Sequence, residues 1–171
     1  MTESDRHAEA IASLAQRYTF RVGVAESLTS GKLAAALGAA PDASSWFRGG
    51  VVAYASEVKF EVLGVTPGPV VTSQCAREMA AGAARLLGAD AVAAVTGVGG
   101  PDDEEGKPPG TVHVATFVRG LELSADLDLS GDPPQVLEQT ELRTLAMLRE
   151  AMQDSVDAAR SGSRGEESRT G

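Results

Sequence analysis

Three short apolar runs, Phe20–Ala25, Val51–Ala55 and Ala91–Thr96, alternate with segments of helical spacing, and this alternation constrains the fold more than any other feature of the chain. Runs this short, bounded by polar or glycine-rich turns, predict buried strands. Strands separated by helices pair in parallel, because a crossover of a dozen or more residues is needed to bring the chain back to the same edge. The helices must then cover the sheet, which defines an α/β fold. Two later runs, Thr111–Val118 and Leu121–Leu129, alternate apolar and polar residues around Arg119-Gly120. They predict a hairpin, so the sheet is mixed rather than wholly parallel.

The helical segments are equally legible. Residues 5–17 put Ala8, Ile11, Ala12 and Ala15 on one face. Leu33–Leu37 reads as helical, Ser56 as the N-cap of a helix over Val58–Leu63, and Ser73–Leu87 as a longer helix with Met79, Ala83 and Leu86 on one side. A last helix is predicted from Gln135 into the 150s. The Ser-, Gly- and charge-rich stretch 161–171 reads as a disordered tail, leaving a single domain over 1–160 of the 171 residues. Aromatic residues make up only 4%, so the core must be built from Ala, Val and Leu.

Several function classes are excluded. The net charge is −9, with no basic stripe of the kind that nucleic-acid binders present. No apolar run is long enough for a membrane span, and MTESDRHAEA has no signal-peptide core. The single Cys75 allows no internal disulfide, which fits a cytoplasmic protein. His7 and His113 stand apart, and no zinc-ligand spacing exists; no metal or cofactor is expected. The acidity is uneven. Residues 20–59 hold three acids and four bases, whereas 122–157 hold nine acids and two bases.

Three segments carry the candidate chemistry. The first, Glu26-Ser27-Leu28-Thr29-Ser30-Gly31-Lys32, lies where a strand ends and a helix begins. Open α/β sheets bind ligands outside the carboxyl ends of their strands, and a helix N-terminus offers free N–H groups to an anion. Ser27, Thr29 and Ser30 serve here either as ligand-facing hydroxyls or as helix caps; both readings stand at this point. The second, Tyr54-Ala55-Ser56-Glu57-Val58-Lys59, occupies the next strand-to-helix junction. A lysine whose pKa is lowered by burial acts as a general base, and a Ser–Lys pair activates a hydroxyl without histidine. A solvated helix lysine is the plainer alternative. The third is Gly97–Gly110, with five glycines and three prolines, flanked by Thr96 and Thr111. It must be a loop. Small residues let its backbone approach a ligand, while Asp102, Asp103, Glu104 and Glu105 read as a solvated run.

Taken in order, AESLTSG at 25–31, SSWFRGGVVAYASEVK at 44–59, LGV at 63–65, VVTSQCAREMA at 70–80, TGVGGPDDEEGKPPGTVHVA at 96–115 and SGD at 130–132 resemble the CinA C-terminal domain family, which includes stand-alone nicotinamide-nucleotide amidohydrolases. The resemblance spans about residues 8–152. It implies a three-layer α/β/α sandwich with a five-stranded, mostly parallel mixed sheet containing one antiparallel strand. It implies hydrolysis of nicotinamide mononucleotide to nicotinic acid mononucleotide and ammonia, without a cofactor. It assigns the nucleophile to Ser27, with Lys59 and Tyr54 assisting, and substrate contacts to Glu26, Thr29, Ser30, Gly31, Thr96, Gly97, Gly99, Gly100 and Thr111. Backbone N–H groups near Thr29–Gly31, or in the loop, would hold the oxyanion. The implied partners are a small-molecule nucleotide and, in a homo-oligomer, further copies of the chain. Full-length CinA carries another domain ahead of this one, for which twenty leading residues leave no room, so its pyrophosphatase-type activity is not expected.

The chain departs from the family pattern at informative places. Leu28 and Ser30 stand where the family has cysteine and glycine. Ser56 replaces an asparagine and Gln74 a glutamate. After Gly131-Asp132 the family continues with arginines, but here Pro133-Pro134 follows. Lys32, Arg48 and Lys107 are then the remaining candidates to meet a phosphate. A non-catalytic nucleotide- or protein-binding relative, and an amidase for another small amide, are the competing readings.

Overall fold

The computed structural model describes residues 1–167. In chain order the elements are α1 (Glu3–Tyr18), β1 (Val22–Glu26), α2 (Lys32–Gly38), α3 (Ala43–Trp46), β2 (Phe47–Val52), α4 (Ser56–Leu63), α5 (Ser73–Leu87), β3 (Ala91–Gly97), β4 (Thr111–Val118), β5 (Leu121–Asp128) and α6 (Pro133–Glu167). The five strands form one sheet in the order β2-β1-β3-β4-β5. β1 pairs in parallel with β2 and β3, whereas β3–β4 and β4–β5 are antiparallel. β4 is therefore the one strand running against the other four, and the expected mixed sheet is present.

Strand alternation feeds two separate cores. In β3, Ala91, Ala93 and Val95 point into a cluster with Ile11, Leu33, Trp46, Leu145 and Met152 from α1, α2, α3 and α6. Val92 and Ala94 point the other way, against Leu63, Met79 and Ala83 from α4 and α5. All seven β3 residues are buried, as a strand covered on both faces must be. The result is the expected three-layer α/β/α sandwich. No helix among the described residues is long and apolar enough to cross a membrane.

Local signals explain most boundaries. Thr2 caps α1 in a reciprocal box with Asp5, and Ala8, Ile11, Ala12 and Ala15 are its buried face. Thr72 Oγ1 accepts the Cys75 N–H and starts α5. Three expectations are corrected. β2 begins at Phe47, not Val51, because Gly49 and Gly50 belong to the strand. A Cβ at Gly50 would stand 2.8 Å from Val24 and 3.1 Å from Ala34, so glycine is needed there for α2 to lie close over the sheet. Ser56 is not an N-cap: Ala55 holds that position, with no side-chain bond, and Ser56 is the first helical residue. α6 continues to Glu167, where the sequence places a disordered tail from Ser161; residues 168–171 lie outside the described residues.

Candidate active site

The carboxyl ends of β1, β2 and β3 meet at one edge of the sheet. The Ala53 N–H donates to the Glu26 carbonyl oxygen at 2.8 Å, which draws the chain leaving β2 alongside the chain leaving β1. β5 runs in the same direction, so the start of α6 reaches this edge too. Above it opens a cleft of about 1100 Å³. Ser27, Tyr54, Lys59, Thr96, Gly97, Gly99 and Gly100 all line it. Three segments far apart in sequence are thus assembled around one space, as the sequence reading expects.

Lys59 is the least ordinary side chain here. It sits on the first turn of α4 and is only 1% exposed. Its amine donates to the Tyr54 carbonyl oxygen at 3.0 Å. Burial pushes its pKa down, and the nearby acidic groups Cys75, Glu104, Glu105 and Glu57 offset part of that shift. A solvated helix lysine is therefore ruled out. Ser27, 7% exposed, follows β1 directly and opens onto the same cleft. Tyr54 behaves differently from expectation. Its ring stands 69% exposed at the cleft mouth, and it serves Lys59 through its main chain.

The remainder of the first segment is structural. Glu26 is fully buried. Its Oε1 accepts from Thr29 Oγ1 at 2.6 Å, Gly31 N at 3.2 Å and Leu33 N at 3.0 Å, and its Oε2 accepts from Ala34 N at 3.0 Å. A strand-end carboxylate thus caps α2, satisfying N–H groups that a helix start leaves orphaned and placing negative charge at its positive end. Glu26, Thr29 and Gly31 are consequently spent inside the protein and do not line the cleft. Ser30 adopts φ +51 and bonds weakly to the Leu28 carbonyl oxygen; it does not line the cleft either. Its N–H donates to Ser27 O, and that of Lys32 to Thr29 O. The Ser30, Gly31 and Lys32 N–H groups are therefore taken, while that of Thr29 has no protein acceptor among the described residues. Leu28, Gly99 and Gly100 line the cleft instead, and their N–H groups have no protein acceptor among the described residues.

The loop over 97–110 keeps Asp102, Asp103, Glu104 and Glu105 exposed, as expected of a solvated run, and is nonetheless docked. Glu105 accepts from the N–H groups of Val70 (2.7 Å) and Val71 (2.9 Å), the Lys107 amine donates to the Val71 carbonyl oxygen, and Thr96 Oγ1 donates to Val70 O at 2.9 Å. These bonds make 68–72 the opposite wall of the cleft, a role that no local sequence signal marks. Gly97 is small for packing: a Cβ would lie 2.5 Å from Thr111 O. Thr111 itself bonds Pro108 O and stays outside the cleft. Of the three cations weighed for a phosphate, Lys32 pairs with Glu141 at 3.8 Å and Arg48 donates to Leu87 O; only Lys107 borders the cleft.

Residues 4–152 match the CinA C-terminal domain. The chain belongs to that family. It is 41% identical over 133 residues to a CinA-like protein of Frankia casuarinae, covering 75% of this chain and 31% of the relative. A CinA-like protein of Dictyoglomus thermophilum is 33% identical over 150 residues, covering 84% and 36%. The chain thus spans about a third of the length of these curated relatives. Solved structures match nearly end to end. A CinA superfamily protein from Klebsiella pneumoniae superposes with a TM-score of 0.84 at 32% identity, covering 88% of this chain and 98% of that one. A competence or damage-inducible protein from Enterobacter asburiae gives 0.85 at 31% identity, covering 89% and 99%.

Proposed function

We propose that the chain is an amidohydrolase that releases ammonia from a pyridine carboxamide, with Ser27 as nucleophile and Lys59 as general base. The supporting observation is Lys59: a buried amine with a lowered pKa, on the wall of a cleft that a serine shares. Desolvation favours its neutral form, the form that accepts a proton. Ser27 Oγ attacks the amide carbon and its proton passes to Lys59 Nζ. The Oγ–C bond forms, and the carbonyl oxygen takes the negative charge, facing the N–H groups of Leu28, Gly99 and Gly100. Lys59 then returns the proton to the departing nitrogen, which leaves as ammonia. Water attacks the acyl-serine, gives its proton to Lys59, and the serine hydroxyl is restored. Tyr54 contributes at the rim, where its ring can cover a bound heterocycle.

Nicotinamide mononucleotide is the substrate that the family resemblance implies. The test is ammonia release from it and from the corresponding nucleoside by the purified chain. Ser27→Ala is expected to abolish release from whichever is used; release unchanged in Ser27→Ala overturns the nucleophile assignment. The carboxamide chemistry and the recognition of a phosphate are separable, and only the first rests on Ser27 and Lys59.

A further inference from the structure

We infer that β5 pairs edge to edge with the β5 of a second copy of the chain, antiparallel and with Leu123 facing the partner's Leu123, to make a ten-stranded sheet. The inference stands apart from the amidohydrolase reading, because no residue of β5 lines the cleft. It starts from an open edge. β5 is the last strand of the sheet and has a neighbour on one side only. Such an edge offers unpaired N–H and C=O groups to another chain, and is usually blunted by proline, lysine or a bulge. Leu121–Asp128 has none of these and pairs with β4 in unbroken register. The opposite edge, β2, is shorter, and its register slips at Val22/Gly23.

The two faces of β5 carry different chemistry. Leu121 and Leu123 lie opposite Val118 and Thr116, on the face that packs against α1 and α6, yet they are 59% and 44% exposed. α6 packs on β3 and β4 and leaves these leucines uncovered. Glu122 and Ser124 stand on the other face, the α5 side. There Arg77 donates to the hydroxyls of Ser73 and Ser124, the latter at 3.2 Å, and meets no carboxylate among the described residues. Two hydroxyls leave its charge unbalanced. The Leu129 N–H bonds the Gly110 carbonyl oxygen. By alternation, the odd-numbered residues turn their main-chain groups to β4, and Glu122, Ser124 and Asp126 turn theirs to the free edge.

Charge selects the register. The charged residues of the strand are all acids, and like charges directly opposite each other repel. Pairing about Ser124 or Ala125 would set Glu122 against the partner's Asp126 or the partner's Asp128. Pairing about Leu123 avoids both. Glu122 then lies opposite the partner's Ser124, beside the partner's Arg77, and the twofold axis repeats the ion pair. On the leucine face, Leu123 meets the partner's Leu123 and Leu121 meets the partner's Ala125. The even-numbered residues become the hydrogen-bonded pairs, as the free edge requires. The strand is thus complementary to itself in apolar pattern, charge and main-chain donors, which is what an isologous contact demands.

The test is sedimentation equilibrium of the full chain from about 1 µM to about 100 µM, where a particle of twice 17.6 kDa is expected. Leu123→Lys changes an exposed side chain and sets two lysines face to face on the axis, so the dissociation constant should rise at least about tenfold. Arg77→Glu should weaken the dimer, and Arg77→Glu combined with Glu122→Arg should restore it, which a merely structural arginine would not allow. Under mild oxidation with copper phenanthroline, Leu123→Cys should cross-link, because the Cα atoms of a non-hydrogen-bonded pair lie about 4.5 Å apart, within disulfide reach. Ser124→Cys should not cross-link, and the native Cys75 is buried. A monomer throughout the range, or any assembly other than a dimer, overturns the inference. So do a dissociation constant indifferent to Leu123→Lys, a charge swap that fails to restore the dimer, and cross-linking of Ser124→Cys as readily as Leu123→Cys.

Discussion

The Lys59 amine donates to the carbonyl oxygen of Tyr54 at 3.0 Å, five residues earlier in the chain. The strand-to-helix turn therefore holds its own lysine in the cleft wall through the main chain, and the tyrosine side chain is left out in solvent.

That geometry separates two residues that the sequence joins. Lys59→Met should lose at least about a hundredfold in ammonia release, the usual scale for a general base. It should remain as stable as the parent to heat, because an apolar chain of similar length replaces a buried amine. Tyr54→Phe should stay near parental activity, since the main chain does the holding. A loss in Tyr54→Phe as large as that in Lys59→Met would restore a proton-transfer role to the phenol.

The pH dependence has two opposed parts. Lys59 has a folded pKa below its ordinary 10.5. Between those values the unfolded chain binds the extra proton, so stability rises with pH through that window. Burial pushes the Cys75 thiol up from 9.0 to about 11. Between those values the folded chain holds the proton, so stability falls as pH rises. Urea unfolding at a series of alkaline pH values should show a steeper fall in Lys59→Met and a shallower one in Cys75→Ala. The rate profile should rise with pH through an inflection below 10.5. Identical slopes in all three proteins would contradict the assignment.

Glu26→Gln tests the cap. The amide has one acceptor oxygen, while the carboxylate receives four hydrogen bonds from two oxygens. Buried donors left unpaired cost about 1–3 kcal/mol each, so a loss of about 2–4 kcal/mol in denaturant unfolding is expected. A change below the error of the measurement would mean that the cap is dispensable.

Ser30 sits at φ +51 without a strong side-chain bond. The left-handed region costs a non-glycine residue about 1–2 kcal/mol, and glycine gives back part of this in the unfolded chain. Ser30→Gly should raise stability by about 0.5–1 kcal/mol, with little change in activity because the residue stands outside the cleft. A drop in midpoint would show that the hydroxyl matters.

Much of this was readable from residues alone. β1, β3, β4 and β5, and the long helices α1 and α5, follow from periodicity because their buried faces repeat at strand or helix spacing. Ser27 and Lys59 were legible because each sits at a strand-to-helix junction, and such junctions gather at one sheet edge. β2 was displaced because Gly49 and Gly50 conceal a strand whose glycine is demanded by Val24 and Ala34 across the interface. Glu105 is exposed with its acidic neighbours, but its bonds to Val70 and Val71 were not legible because those partners lie 34–35 residues away.

By itself the sequence determined the architecture and the family: alternating apolar runs admit few packings, and several motifs in register are hard to match by chance. Only the tertiary structure decided what each polar group is for. Glu26 and Ser27 are adjacent in the chain, yet the carboxylate is consumed by α2 and the hydroxyl faces the cleft. Buried polar atoms must be paired, and which partner reaches them depends on packing between distant segments, not on neighbours in sequence.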